Sequence, residues 1–377
     1  MDVSAGYFCP VRGLAGLEPP EPVHLGRAAG LARELGLSSL TLPILEESLI
    51  GSGRARVTFL DGLISALDQA DEQGVGIVLS PLAGRILGLS WSARDLVRPK
   101  SWAQGVRTFV EGKVRVLRPL DWWTDPALIQ RRLGSLREAV SALAGHPAVK
   151  GWLILDRAWP GGRPSPHQAD LVVKSFVAEI RERDEVSPVE LGAGWPELLA
   201  PELMRGLADS VDGIKIAGPE ESGEGDWSIP DLAHELRLAV FLGALGQWLW
   251  ETDVTVEAGW QGFGRQEPEE IARAGTRLAA QETGGRALAG LGLVSLVDPG
   301  PVRALEPPWG LRPGLERLAA LDRELEPKVW LEPLLKALEA QKPKSGSDGF
   351  IDLAPDEYLA DPGAHLKRLW SHFQEAG

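Results

Sequence analysis

The chain is poor in several residue types at once. A single cysteine, Cys9, among 377 residues excludes an intrachain disulfide and any zinc cage built on several thiolates. The six histidines, at 24, 146, 167, 234, 365 and 372, show no paired ligand spacing, so no metal site and no cofactor are expected. Basic residues number 39 against 53 acidic ones, a net charge of −14, and no Lys/Arg run interrupts that balance. Phosphate binding needs a basic surface, so nucleic acid is not an expected partner. Long apolar runs are missing too: the richest stretch, Leu238 to Trp250, is short and broken by Gly243, Gly246 and Gln247, which excludes a bilayer span. The first ten residues carry no basic segment followed by an apolar one, so no secretion signal is read there. These absences together lead us to expect a soluble, cytoplasmic protein. Tyrosine is scarce at two residues, whereas tryptophan reaches 14. Many indoles fall in Gly/Pro-rich connections, among them Trp91, Trp102, Trp122, Trp123, Trp159, Trp195, Trp227, Trp260 and Trp309. Core packing accounts for many of them; stacking on the apolar faces of sugars is the functional use.

What is present is an alternation. Short β-like runs occur at Gly6–Pro10, Ser39–Leu45, Gly76–Pro81, Lys150–Asp156, Val189–Gly194, Gly213–Ala217, Val254–Ala258 and Leu288–Val297. Between them, apolar residues at three- and four-residue spacing predict helices over Leu25–Leu35, Phe59–Gln73, Pro126–Ala144, Pro166–Arg183, Pro196–Ser210, Ile229–Trp248 and Glu267–Thr283. Asp125-Pro126, Ser165-Pro166 and Pro230-Asp231 read as helix starts. Gly36, Gly74 and Gly145 sit where left-handed C-caps are expected. Strands alternating with helices in this count predict an α/β fold, a closed (β/α)₈ TIM barrel with a C-terminal helical extension. We expect the barrel over residues 1–325. Residues 326–377 should then be C-terminal helices and a tail that pack on the barrel or on a partner, with helices near Pro313–Arg323, Pro327–Gln341 and Pro362–Phe373. An insertion from Ala83 to Thr124 reads as a structured loop on the catalytic face.

The segment Asp253-Val254-Thr255-Val256-Glu257-Ala258-Gly259-Trp260 reads as a buried strand that delivers one carboxylate at its C-terminal end, followed by an indole. Barrels place their chemistry at that end of the strands. A glutamate beside a Trp suits a sugar-cleaving site, with an anion for the anomeric carbon and a flat surface for the ring. The plainer reading is a loop-capping Glu or one paired with Arg265.

Three segments carry a family resemblance. Residues Gly145-His146-Pro147-Ala148-Val149-Lys150-Gly151-Trp152 through Asp156 resemble the fourth-strand segment of the cellulase-like clan of retaining glycosidases, His-Pro-Ala-Val-x-Gly-Trp followed by Asn-Glu. Asp253 to Trp260 resembles that clan's seventh strand, which holds the nucleophile. Leu288 to Asp298 resembles its eighth. The resemblance implies a (β/α)₈ barrel, carbohydrate as partner, and Glu257 as nucleophile. It does not supply an acid: the matched pair is Asp156-Arg157, and a guanidinium does not give up its proton. Asp156 is the nearest second carboxylate, one residue early and one methylene short. Glu46, Glu47, Glu220, Glu221 and Asp298 lie beyond other strand ends. Retention asks for two carboxyl groups about 5–5.5 Å apart, inversion for about 6.5–9.5 Å. Arg157, Trp159, Trp195, Trp260, Glu220 and Asp298 are the candidate substrate contacts. Arg157 suits either neutralising Asp156 or Glu257, or gripping the carboxylate of an acidic sugar. Two functions therefore stand: a retaining glycosidase, or a catalytically inactive barrel that binds a glycan or a protein. Gly259 to Arg265 lacks the glycine order of a dinucleotide site. Ser80 and Ser295 lack the context of a hydrolase nucleophile.

Overall fold

The computed structural model describes residues 1–7, 19–50, 53–83, 85–86, 89–91, 97–99, 106–110, 113–156, 164–218, 231–258, 267–280, 282–283, 286–296, 320–321, 325–339 and 348–376. Eight parallel strands close into a barrel in which every sequence neighbour is also a spatial neighbour. They are β1 (Asp2–Gly6), β2 (Ser39–Leu45), β3 (Gly76–Ala83), β4 (Val149–Ile154), β5 (Val189–Ala193), β6 (Gly213–Ala217), β7 (Val254–Ala258) and β8 (Gly290–Leu293). Closure comes from β1 pairing β8, with Asp2 opposite Gly290 and Ala5 opposite Leu293. The fold is a (β/α)₈ TIM barrel.

The outer ring is built from α1 (Pro22–Glu34), α2 (Gly53–Glu72), α3 (Pro126–Leu143), α4 (Pro166–Arg181), a single short turn α5 (Trp195–Leu198), α6 (Leu232–Trp250), α7 (Pro268–Ala280) and α8 (Leu331–Glu339). Local chemistry starts and stops these helices. The Asp125 carboxylate accepts from the Ala127 and Leu128 amides ahead of α3, with Pro126 in the first turn. Ser165 and Gln168 form a reciprocal capping box on α4. The Asp231 carboxylate accepts from the His234 amide on α6. Such caps satisfy donors that the first turn leaves unpaired. Gly36, Gly74 and Gly145 adopt φ values of 76, 71 and 79°, the left-handed geometry expected of C-cap glycines.

Three readings of the sequence change. The first strand begins at Asp2 rather than Gly6, and residues 8–10 lie outside the described residues. The helix expected over Pro196–Ser210 is three short pieces, with turns at Trp195–Leu198, Glu202–Arg205 and Ala208–Ser210. Pro201 and Gly206 fall between those pieces, and both break helical continuity. The insertion after β3 contains a five-stranded sheet, formed by Arg85–Ile86, Leu89–Trp91, Val97–Pro99, Val106–Val110 and Lys113–Pro119. At its end Trp122 and Trp123 are buried and stacked, 4.1 Å between ring centroids, so they belong to the core and not to a sugar-binding surface. The helix expected near Pro313–Arg323 lies almost wholly outside the described residues.

Helix α6 is apolar on nearly every side, and such a helix must be covered all round. Its inner face meets the barrel through two glycine notches. A β-carbon on Gly246 would sit 2.4 Å from Ile216 of β6, and one on Gly243 would sit 2.8 Å from Val256 of β7. Its outer face is covered by α9 (Pro355–Ala360) and α10 (Pro362–Ala376). Phe241 of α6 meets Phe350, Trp370 and Phe373 at centroid distances of 5.6, 5.1 and 5.6 Å. Trp248 meets Tyr358 edge-on at 5.9 Å. The Tyr358 hydroxyl donates to the Leu198 carbonyl at the end of α5. The C-terminal helices therefore pack where the fifth ring helix is reduced to one turn. None of the described helices is long and apolar enough to cross a membrane.

Candidate active site

The notches on α6 fix which way the strands face. Ile216 and Val256 point outward into the helix, and side chains alternate along a strand. Lys215, Thr255 and Glu257 therefore point into the barrel. Glu257 is the fourth of the five residues of β7 and is 7 % exposed. Its Oε2 lies 3.1 Å from Nζ of Lys215, which is itself buried. Gly292 of β8, the register partner of Glu257, leaves room for this arrangement: a β-carbon there would stand 3.4 Å from Cε of Lys215 and 3.6 Å from Oγ of Ser4.

The fourth strand bends into the same space. Leu155, just past β4, takes φ 54°, a left-handed conformation that costs a bulky residue about 1–3 kcal/mol. A β-carbon on Gly192 of β5 would lie 2.6 Å from the Asp156 Cα and 3.0 Å from the Leu155 carbonyl. The turn at Leu155–Asp156 is folded over β5 and fits only because Gly192 has no side chain. Gly192 is the register partner of Lys215. Gly192 and Lys215 share one inner course with Thr255, and Glu257 stands at the next inward position of β7, while the turn at Asp156 lies over Gly192. Leu82 repeats the left-handed geometry at the end of β3, with φ 60°, where the register between β2 and β3 slips.

Below this course sits Glu190 of β5, opposite Gly213 of β6. Burial pushes its carboxyl above the usual range; Lys215 draws it back, while Asp212 and Asp156 push it higher. Within α5, Glu197 is 2 % exposed and accepts from the Gly194 amide at 2.7 Å. Burial pushes it up to about 7 against the backbone amides of Glu197 and Gly194. Ser80 of β3 is fully buried, and its hydroxyl has no hydrogen-bond partner among the described residues.

Lys215, Glu190, Glu197 and Gly192 were not singled out from the sequence. The signal for two of them was there: Gly213-Ile-Lys-Ile-Ala217 and Val189-Glu-Leu-Gly-Ala193 each place a charge inside an otherwise apolar strand. Of the other candidates, Arg157, Trp159, Trp260, Glu220, Glu221 and Asp298 lie outside the described residues, as does the side chain of Trp195. Glu46 is engaged in a buried ion pair. Its carboxylate receives the Arg132 guanidinium at 2.8 Å in a buried pair, and that guanidinium lies 3.9 Å over the Trp122 ring.

The segment that resembles the fourth strand has structural work of its own. Gly145 ends the turn after α3, and His146 approaches Asp68 at 3.2 Å. The Trp152 indole donates to Asp184 at 2.8 Å. Burial pushes Asp184 up, but the Ser187 and Val186 amides and the Trp152 indole hold it below the usual range. Among the described residues no cluster of His, Cys, Asp or Glu has the makings of a metal site.

No protein-family model matches the sequence, and no curated protein matches it. Solved structures do match in fold, among them glycoside hydrolases. One is a GH5_18 protein from Streptomyces cattleya in complex with GlcNAc, 15% identical, with a TM-score of 0.67 over 91% of this chain and 82% of that one. Another is a GH5_18 protein from Bifidobacterium longum subsp. longum, 14% identical, with a TM-score of 0.69 over 92% and 81%. A third is the exo-beta-1,4-mannosidase Op5Man5 from Opitutaceae bacterium strain TAV5, 15% identical, with a TM-score of 0.61 over 90% of this chain and 59% of that one. At such identities the likeness is one of fold, a glycosidase-like (β/α)₈ barrel.

Proposed function

We propose that the protein is a glycoside hydrolase that cleaves a carbohydrate with retention, Glu257 attacking the anomeric carbon. The observation that carries this reading is the buried carboxylate of Glu257 near the C-terminal end of β7, held beside Lys215, in a barrel shared with solved glycosidases. A carboxylate there forms a glycosyl–enzyme ester as the leaving oxygen departs, and water then cleaves the ester. Asp156 is the carboxyl group we assign to protonating the leaving oxygen, because its turn is folded over Gly192, the register partner of Lys215. Arg157, Trp159, Trp195, Trp260, Glu220 and Asp298 are proposed to contact the sugar. Barrel residues 1–325 would carry the site, with residues 326–377 as an appended cover.

A second reading, a silent barrel that binds a glycan, is favoured by Arg157 standing where the resembled family has its acid. Activated aryl glycosides separate the two, since a phenolate departs with little protonation whereas natural glycosides need an acid. We expect hydrolysis of at least one member of an α and β, neutral and uronic panel. Glu257→Gln should abolish it, and Asp156→Asn should slow natural substrates far more than activated ones. No hydrolysis across the panel, with indole fluorescence still quenched by a glycan, would sink the hydrolase reading in favour of the binding one.

A further inference from the structure

We propose that Lys215 is a positioning residue for this reaction: crossing the barrel interior from β6, its ammonium holds the Glu257 carboxylate ionised and in one orientation at the floor of the mouth. The proposal rests on the reading of Glu257 as the reacting carboxylate. The geometry behind it is independent of any substrate. Nζ lies 3.1 Å from Glu257 Oε2, both side chains are more than nine-tenths buried, and the Lys215 stem passes the bare Gly292 backbone, with Cε 3.4 Å from where a β-carbon would stand. An opposite charge at this distance, away from water, favours the ionised form of a carboxylate.

The surrounding charges decide how that ammonium is shared. The charged groups that act here include Glu257 on β7, in contact with Lys215, and Glu190 on β5, which feels Lys215, Asp212 and Asp156. Burial favours the protonated form of Glu190, the Lys215 charge opposes this, and the Asp212 and Asp156 charges add to it. Glu257 is an acid in direct contact with the Lys215 ammonium. The ammonium thereby favours the reacting carboxylate as an anion, against neighbouring acids that work the other way. Such a role leaves Lys215 chemically unchanged through the reaction.

The test reads Glu257 directly. Infrared titration of the carboxylates, taken as wild type minus Glu257→Gln, isolates the Glu257 band without any substrate. In Lys215→Met we expect its midpoint to rise by about one to three pH units. The acid limb of kcat/KM on an activated aryl glycoside should rise with it. Lys215→Arg should return both toward the wild-type position. Where Lys215→Met does not fold, Lys215→Gln takes its place, keeping a polar stem without the charge. An unmoved Glu257 midpoint in the neutral variant overturns the proposal, whatever happens to the rate. A midpoint that moves while the acid limb stays overturns the positioning role and leaves only an ion pair. A wild type that cleaves no glycoside, with the midpoint still moving in the variant, overturns the hydrolase reading and with it the catalytic sense of the proposal, but leaves the pairing.

Discussion

At the scale of single residues, buried charge decides more than exposed charge. Arg132 is enclosed between the Glu46 carboxylate and the Trp122 ring. Arg132→Met should therefore cost about 3–5 kcal/mol by leaving Glu46 buried and unpaired. Adding Glu46→Gln should recover much of that loss, and urea unfolding of both variants measures it. Glu197 offers a pH prediction. Its folded value is raised to about 7, above its unfolded value, so its contribution is fully present below the unfolded value and is lost as pH rises through about 7. Stability should fall across roughly pH 4.5 to 7, by about 3 kcal/mol at 1.36 kcal/mol per unit. Glu197→Gln keeps an oxygen for the Gly194 amide and removes the titration. The melting temperature of the variant should be flatter than that of the wild type over this window. An equal slope in both proteins would remove Glu197 as the cause.

At the scale of elements, two glycines make a matched pair. Gly192→Ala puts a methyl group 2.6 Å from the Asp156 backbone, which does not swing aside as a side-chain tip does. A loss of about 1–3 kcal/mol is expected, together with slower glycoside cleavage as the turn is displaced. Gly134 sits in α3 with nothing near the position of its missing β-carbon. Gly134→Ala should stabilise by about 0.5–1 kcal/mol and leave cleavage alone. Thermal unfolding of both variants checks the contrast.

The elements also show why some of the chain was legible and some was not. β2, β6 and β7 were readable to the residue because Leu40, Ile216 and Val256 face the helices. The α3 and α4 starts were readable because Asp125 and Ser165 use ordinary capping chemistry. β1 was placed too late because its inward residues, Asp2 and Ser4, are polar while the apolar run Tyr7-Phe8-Cys9 follows. The strands of a parallel barrel normally read as nearly continuous apolar runs. Here the interior takes Ser4, Glu190, Lys215, Thr255 and Glu257, and that departure concealed both the first strand and the partner of Glu257. Glu46 looked like a candidate for the mouth because nothing local announces Arg132, which is distant in sequence.

At the scale of the whole molecule, the barrel depends on a late segment to cover its most apolar helix. Removing residues 348–377 should expose Phe241 and Trp248 of α6, which now meet Phe350, Tyr358, Trp370 and Phe373. The shortened chain should bind a hydrophobic dye such as ANS and aggregate at concentrations where the full chain stays in solution. A dispersed, dye-silent product would show that α6 is covered in some other way. The same arrangement bears on synthesis. α6 leaves the ribosome well before α9 and α10 exist, so for that interval its outer face has nothing of its own chain to lie against. Nascent chains stalled between α6 and α10 should be the forms most readily held by a chaperone, and release should follow once the Tyr358 hydroxyl reaches the Leu198 carbonyl.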